Sequence, residues 1–189
     1  MLARVHEDWL AHDRQWLRPG FHAMAAYRFG AWQATLPRAL RLLTAPLHAL
    51  MYVWVRNLYG IELPHTATVG RRLRFSHQSG IVIHPGARIG DDCVIRQNVT
   101  IGGVNPARAS GAPTIGDGVQ VGAGAALIGA IRVGDGARIG PNAVVTTNVP
   151  AGAIVVVPPP RVVLSAPRPP AAPAHAAPAD AAPADGAPA

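Results

Sequence analysis

Aliphatic residues recur every six positions along most of this chain. Ile115, Val121, Leu127, Val133, Ile139 and Val145 each stand six after the last. So do Ile83, Ile89, Ile95 and Ile101, and before them Leu63, Val69, Phe75 and Ile81. Four residues after most anchors comes another small or apolar side chain, as at Ala87, Cys93, Val119, Ala125 and Ala137. Strand side chains alternate between faces, so the anchor and the residue two before it both point inward, and the two residues left over make a corner. Gly just after the anchor, as at Gly70, Gly90 and Gly116, and Gly, Asn or Asp at corners, are read as supplying permissive backbone geometry. A hexapeptide repeat of this kind is a parallel β-helix, with three hexads to a triangular coil. Fourteen anchors give nearly five coils, which at about 4.8 Å per coil make a prism roughly 20–25 Å tall. Six consecutive matches to one template weigh against a sandwich of unrelated short strands.

Composition agrees. The chain has 189 residues, enough for one domain with a real core and appendages, and is 49% hydrophobic but only 5% aromatic. A narrow prism takes Ile, Val and Ala more easily than rings. Every basic residue is Arg, and the formal charge is +7. The arginines are scattered and no nucleic-acid-binding module is visible, so a phosphate-bearing small molecule is the better match to this charge. Cys93 is the sole cysteine, which excludes an internal disulfide. The first residues, with Glu7, Asp8 and Trp9, lack the charged start and apolar stretch of a secretion signal, so a cytoplasmic location is expected. The run from Leu42 to Val55 is too short to span a bilayer and carries Pro46 and His48, so no membrane span is expected.

Three regions follow. Residues 1–60 hold all four tryptophans and lack the six-residue period. Leu36, Leu40, Leu43, Leu47, Leu50, Val53 and Trp54 recur at helical steps, with breaks at Pro19-Gly20 and Pro37, which predicts two or three amphipathic helices. These pack on the start of the prism or on another subunit; membrane-surface binding is the weaker reading, because basic residues there are sparse and interspersed. Residues 61–165 form the β-helix. Its period breaks between Ile101 and Ile115, fourteen residues where two hexads would be twelve, and residues 103–113 are expected to leave the prism as a loop that carries function. Residues 166–189 are almost wholly Ala, Pro, Asp and Gly and are expected to be disordered.

Few side chains offer chemistry. Cys93 falls at an inward position and reads as a core thiol. Ser76 and His77 are adjacent on a strand and face opposite ways, which argues against a nucleophilic pair. The other histidines show no metal-ligand spacing. His77 lies two after Phe75, at a corner, where it projects outward; alone, this fits a solvated turn histidine as well as a base.

Gly60-Ile61-Glu62-Leu63, Phe75-Ser76-His77-Gln78-Ser79-Gly80-Ile81-Val82-Ile83, Val99-Thr100-Ile101-Gly102-Gly103 and Val121-Gly122-Ala123-Gly124-Ala125, with Pro19-Gly20-Phe21-His22-Ala23 upstream, resemble the bacterial serine acetyltransferases. The resemblance covers residues 20–161 and implies an all-β, left-handed β-helix with a short helical region before it. It implies transfer of acetyl from acetyl-CoA to a hydroxyl, with His77 as general base and Glu62, fifteen residues earlier, orienting it. It matches Gly102, Gly103, Ala123 and Arg138 to cofactor-contacting positions, Arg138 replacing a Lys that faces phosphate. Homotrimers with active sites between subunits are implied, and pairing of trimers through residues 1–60 is compatible with it. No metal is implied. The chain departs from the family where Ser76 stands for Asp, and where Gly111-Ala112-Pro113 stands for Arg-His-Pro; the missing groups hold the acceptor's ammonium and carboxylate. The expected activity is therefore serine O-acetylation, with a sugar hydroxyl, as in exopolysaccharide pathways, the alternative acceptor and a non-catalytic scaffold the remaining one.

Overall fold

The computed structural model describes residues 1–104 and 111–159, so the expected disorder of 166–189 lies outside the described residues. Three helices come first: α1 (Leu2–Ala11), α2 (Pro19–Gln33) and α3 (Arg38–Tyr59). The breaks read at Pro19-Gly20 and Pro37 fall between these helices, and each proline opens the helix that follows. Pro19 is the first residue of α2, where its missing N–H costs nothing, and Pro37 caps α3. Gly60 ends α3 in the left-handed conformation that the terminal carbonyls favour. With helices of 10, 15 and 22 residues, the all-β label fits only the part of the chain after Gly60.

That part is a coil of fourteen short strands on three parallel faces. Face A stacks β1 (Ile61–Glu62), β4 (Ile81–Ile83), β7 (Thr100–Gly102), β10 (Ala126–Ile128) and β13 (Val144–Val145). Face B stacks β2 (Thr68–Val69), β5 (Arg88–Ile89), β8 (Thr114–Ile115) and β11 (Arg132–Val133). Face C stacks β3 (Arg74–Phe75), β6 (Val94–Ile95), β9 (Gln120–Val121), β12 (Arg138–Ile139) and β14 (Ile154–Val155). The anchors sit over one another, Ile89 over Ile115 and Ile95 over Val121, and nearly all are fully buried. Ile81 and Ile83 share one strand, so two anchors of the sequence pattern are a single rung. The gap from Ile101 to Ile115 also differs from its reading as two stretched hexads. It runs from face A directly to face B, so fourteen residues replace one hexad, and the excursion is eight residues long.

The glycine after each anchor is needed for space, not for its backbone angle. Gly70, Gly90 and Gly116 do not adopt positive φ. A Cβ on them would lie 2.4, 2.3 and 2.1 Å from Oδ1 of Asp91, Asp117 and Asp135 in the coil above. Those carboxylates accept the backbone N–H of Arg71, Asp91 and Asp117 at 2.7, 2.7 and 2.9 Å, forming an aspartate ladder up the corner between faces B and C. The positive φ falls two residues after the glycine, at Arg72, Asp92, Gly118 and Gly136.

The helices close the first coil. Arg28 of α2 is buried and reaches Asp8 of α1 at 2.8 Å; it also donates to the carbonyls of Val69 and Gly70 at 3.1 and 2.5 Å. Burial raises the Asp8 carboxyl above its ordinary pKa, and the guanidinium opposes that rise. His12, also buried, donates through Nδ1 to the Asp8 carbonyl and accepts the Phe75 N–H through Nε2. Replacing Arg28 by Met alone strands a buried carboxylate, and denaturant melts should show a loss of about 3–5 kcal/mol; the double variant Asp8→Leu/Arg28→Met should recover much of it.

Candidate active site

His77 follows β3 at the corner between faces C and A, and it is exposed. The corner is pinned on both sides. The N–H of Ser79 donates to the Tyr59 carbonyl at the end of α3 at 2.8 Å, and the Ser79 carbonyl accepts the N–H of Asn98 at 2.9 Å. Ser79 itself takes a φ of 86, an unusual conformation for a residue with a side chain. Glu62 lies half-exposed on β1, paired with Val82 of the next coil. Its charge adds to burial in raising the pKa of the Tyr52 phenol on α3. His77 and Glu62 are thus in adjoining coils, but no hydrogen bond joins them among the described residues. Ser76 turns away, onto face C, and continues the ladder through its N–H to the Ile95 carbonyl at 3.0 Å.

The remaining expected residues separate into two edges and a face. Ala123 lies three residues before β10, on the same edge of face A as His77 and two coils, or roughly 10 Å, higher. Gly102 and Gly103 lie at the opposite edge, where β7 ends and the excursion begins. Three-residue strands make that face about 10 Å wide. Arg138 stands on the outer face of β12, where Arg74, Ser76, Arg96, Gln120 and Arg138 line a cavity of 440 Å³. Arg74 is held by Asp13 at 2.7 Å; Arg96 and Arg138 form no ion pair among the described residues. Within one chain, then, His77 follows Ser76 of the arginine-lined cavity wall, while the glycine pair is on the far side of face A.

Sequence reasoning passed over His84. It is 8% exposed, at the root of the excursion. Its Nδ1 accepts the Gly86 N–H at 3.0 Å, which leaves the proton on Nε2, and Nε2 has no partner among the described residues. A Cβ on Gly103 would come within 3.0 Å of that nitrogen, so glycine keeps the space beside it open. The available signal was a histidine directly ahead of Pro85-Gly86, at the edge that carries the glycine pair.

Among the described residues, no group of three His, Cys, Asp or Glu could hold a metal ion. Cys93 is 1% exposed, its Sγ is 3.1 Å from the Gly116 carbonyl, and burial pushes its thiol pKa up to about 11. A thiol so buried and so weakly acidic is no nucleophile near neutrality. A thiol-reactive disulfide reagent at pH 8 should leave Cys93 unmodified in the native protein and modify it fully in denaturant.

The hexapeptide-repeat family model for bacterial transferases matches residues 112–147. The serine acetyltransferase of Helicobacter pylori is 38% identical over 159 residues, which cover 82% of this chain and 90% of that one. The soybean serine acetyltransferase apoenzyme superimposes with a TM-score of 0.70 at 29% identity, covering 85% of this chain and 68% of its own. A serine acetyltransferase solved in complex with cysteine superimposes with a TM-score of 0.65 at 30% identity; this chain spans 57% of its length.

Proposed function

The chain belongs to the serine acetyltransferase family, and on that footing we propose that it transfers the acetyl group of acetyl-CoA to the hydroxyl of L-serine, yielding O-acetylserine and free CoA. The observation that carries this reading is the match along 90% of the Helicobacter pylori enzyme, with His77 exposed on a pinned corner. The coil winds left-handed in this reading, as the resemblance implies.

A hydroxyl is a poor nucleophile near pH 7, and imidazole titrates close to that pH. His77 takes the hydroxyl proton as the oxygen attacks the thioester carbonyl, and returns it to the departing sulfur. Glu62 holds the ring and favours the imidazolium formed in between. The thioester of acetyl-CoA supplies the activated acyl group. Its phosphates suit Arg96 and Arg138, which form no ion pair among the described residues, and a narrow pantetheine arm suits an edge kept open by Gly102 and Gly103. His77→Ala should lower kcat by about 10²–10⁴ with an unchanged far-ultraviolet spectrum. Near wild-type turnover would remove His77 from the mechanism.

The separation of His77 from the glycine pair supports a trimer in which His77 of one prism faces Gly102 and Gly103 of the next. His77→Ala and Gly103→Trp are each expected to be inactive alone. Coexpressed, they should recover measurable turnover, because some interfaces then combine an intact histidine with an intact glycine edge. No recovery in verified mixed assemblies would place the whole site within one chain.

One observation favours a second acceptor. Ala112 packs against the hydrophobic core, and Gly111 offers no side chain, so this segment presents no donor to a carboxylate. A missing charge-assisted bond costs roughly 1.5–3 kcal/mol. If the acceptor is a sugar hydroxyl, serine should be acetylated at least tenfold less efficiently than the true substrate. A thiol-release assay comparing serine with nucleotide sugars decides between them; efficient serine turnover with cysteine inhibition settles it for serine.

A further inference from the structure

The corner that carries His77 is longer than the corners stacked on it. Between Phe75 and Val82 the chain advances seven positions, while between their register partners, Ile95 and Thr100, it advances five. The next two coils also take five, from Val121 to Ala126 and from Ile139 to Val144. The two extra residues leave His77, Gln78, Ser79 and Gly80 all exposed. Among the described residues the N–H groups of His77, Gln78 and Gly80 find no backbone acceptor. Ser79 adds a φ of 86, a conformation that persists only where its surroundings impose it. A base on such a corner keeps its place through contacts from outside its own turn.

The end of α3 supplies them. The Tyr59 carbonyl accepts the Ser79 N–H at 2.8 Å, and the Gly60 carbonyl accepts that of Ile81 at 2.9 Å. A Cβ on Gly60 would lie 3.1 Å from both Ser79 Cα and Gly80 N, so helix end and corner meet without slack. The chain then runs through Gly60 directly into β1 and Glu62. One helix end therefore sets both members of the proposed His77–Glu62 pair. In the last turn Arg56, Asn57 and Leu58 are exposed, while Tyr59 is half-buried and its hydroxyl lies 3.0 Å from Nδ1 of His22 on α2. Nε2 of His22 lies 2.6 Å from the Trp16 carbonyl. A carbonyl only accepts, so Nε2 carries the proton of the neutral ring and Nδ1 accepts the Tyr59 O–H. His22 thus ties the end of α3 to α2 and to the segment before it.

We propose that Tyr59 and His22 are positioning residues for the His77 base: their hydrogen bond fixes the end of α3, and the Tyr59 carbonyl hands that position to the widened corner. This rests on acetyl transfer with His77 as the base; neither side chain touches substrate. A misplacement of about 1 Å at a reacting group costs on the order of 10²-fold in rate, so loss of the lock is read in turnover more than in folding.

Steady-state kinetics beside amide hydrogen exchange on full-length Tyr59→Phe, His22→Ala and His22→Gln test it. Tyr59→Phe and His22→Ala should lower kcat about 10- to 100-fold. KM for acetyl-CoA should stay within about twofold, since the lock acts on the chemical step and not on cofactor binding. Exchange should quicken selectively over residues 76–81. Gln offers an acceptor to Tyr59 and a donor to Trp16, so His22→Gln should keep most of the turnover and the protection. In a His77→Ala background, Tyr59→Phe should have no further effect on kcat. A lower melting temperature for Tyr59→Phe with unchanged kcat makes the bond a fold contact only and overturns the proposal. So does a fall in kcat with exchange at the corner unaltered. Near wild-type turnover in His77→Ala removes the base and this proposal with it, whereas an inactive His77→Ala beside a fully active Tyr59→Phe removes the lock alone.

Discussion

Vertical registration governs this molecule. Each coil donates its backbone N–H groups to the coil beside it, so the coils must lie about 4.8 Å apart along their whole circumference. Inward side chains then stack directly, Ile89 on Ile115 and Ile95 on Val121, and leave no room to adjust. The same spacing explains the aspartate ladder. Asp91, Asp117 and Asp135 satisfy backbone donors at a corner where the strands have stopped pairing. They fit only because Gly70, Gly90 and Gly116 leave out a Cβ.

A scaffold this rigid gives its corners fixed positions, and the proposed chemistry uses them. His77 occupies a corner tied to α3 through Tyr59 and to the next coil through Asn98. Gly103 and His84 occupy the opposite edge, where registration is given up for eight residues. The prism can hold the two proposed half-sites apart but cannot fold them onto each other. Convergence therefore requires a second prism, which is the physical basis for proposing an active site shared between subunits.

The helical layer closes the prism's first coil through polar contacts in a dry place. Arg28 satisfies Asp8 and two carbonyls of the first coil, and His12 bridges α1 to β3. Close approach depends on small residues: a Cβ on Gly20 would lie 2.7 Å from the Phe75 carbonyl oxygen. These contacts use one side of the helical layer, and the outward side of α3 is apolar, with no partner among the described residues.

Much of this was legible in the sequence. The six-residue period follows from local strand alternation, so it named the coil, its inward residues and the buried Cys93 directly. His77 was legible as a corner residue; its proposed role as a base rests on the motif alone. Other features needed tertiary structure because they involve residues far apart in the chain. The reason for Gly70 is a carboxylate twenty-one residues later, at Asp91. Ile81 and Ile83 look like two anchors until the neighbouring strands show that they share a rung. The orphaned Nε2 of His84 is visible only once Gly86 has claimed the other ring nitrogen. Leucine spacing in α3 announced an amphipathic helix but not which side would be covered; that was decided by α2 and the first coil, which pack against Val55 and leave Leu50 and Trp54 in the open.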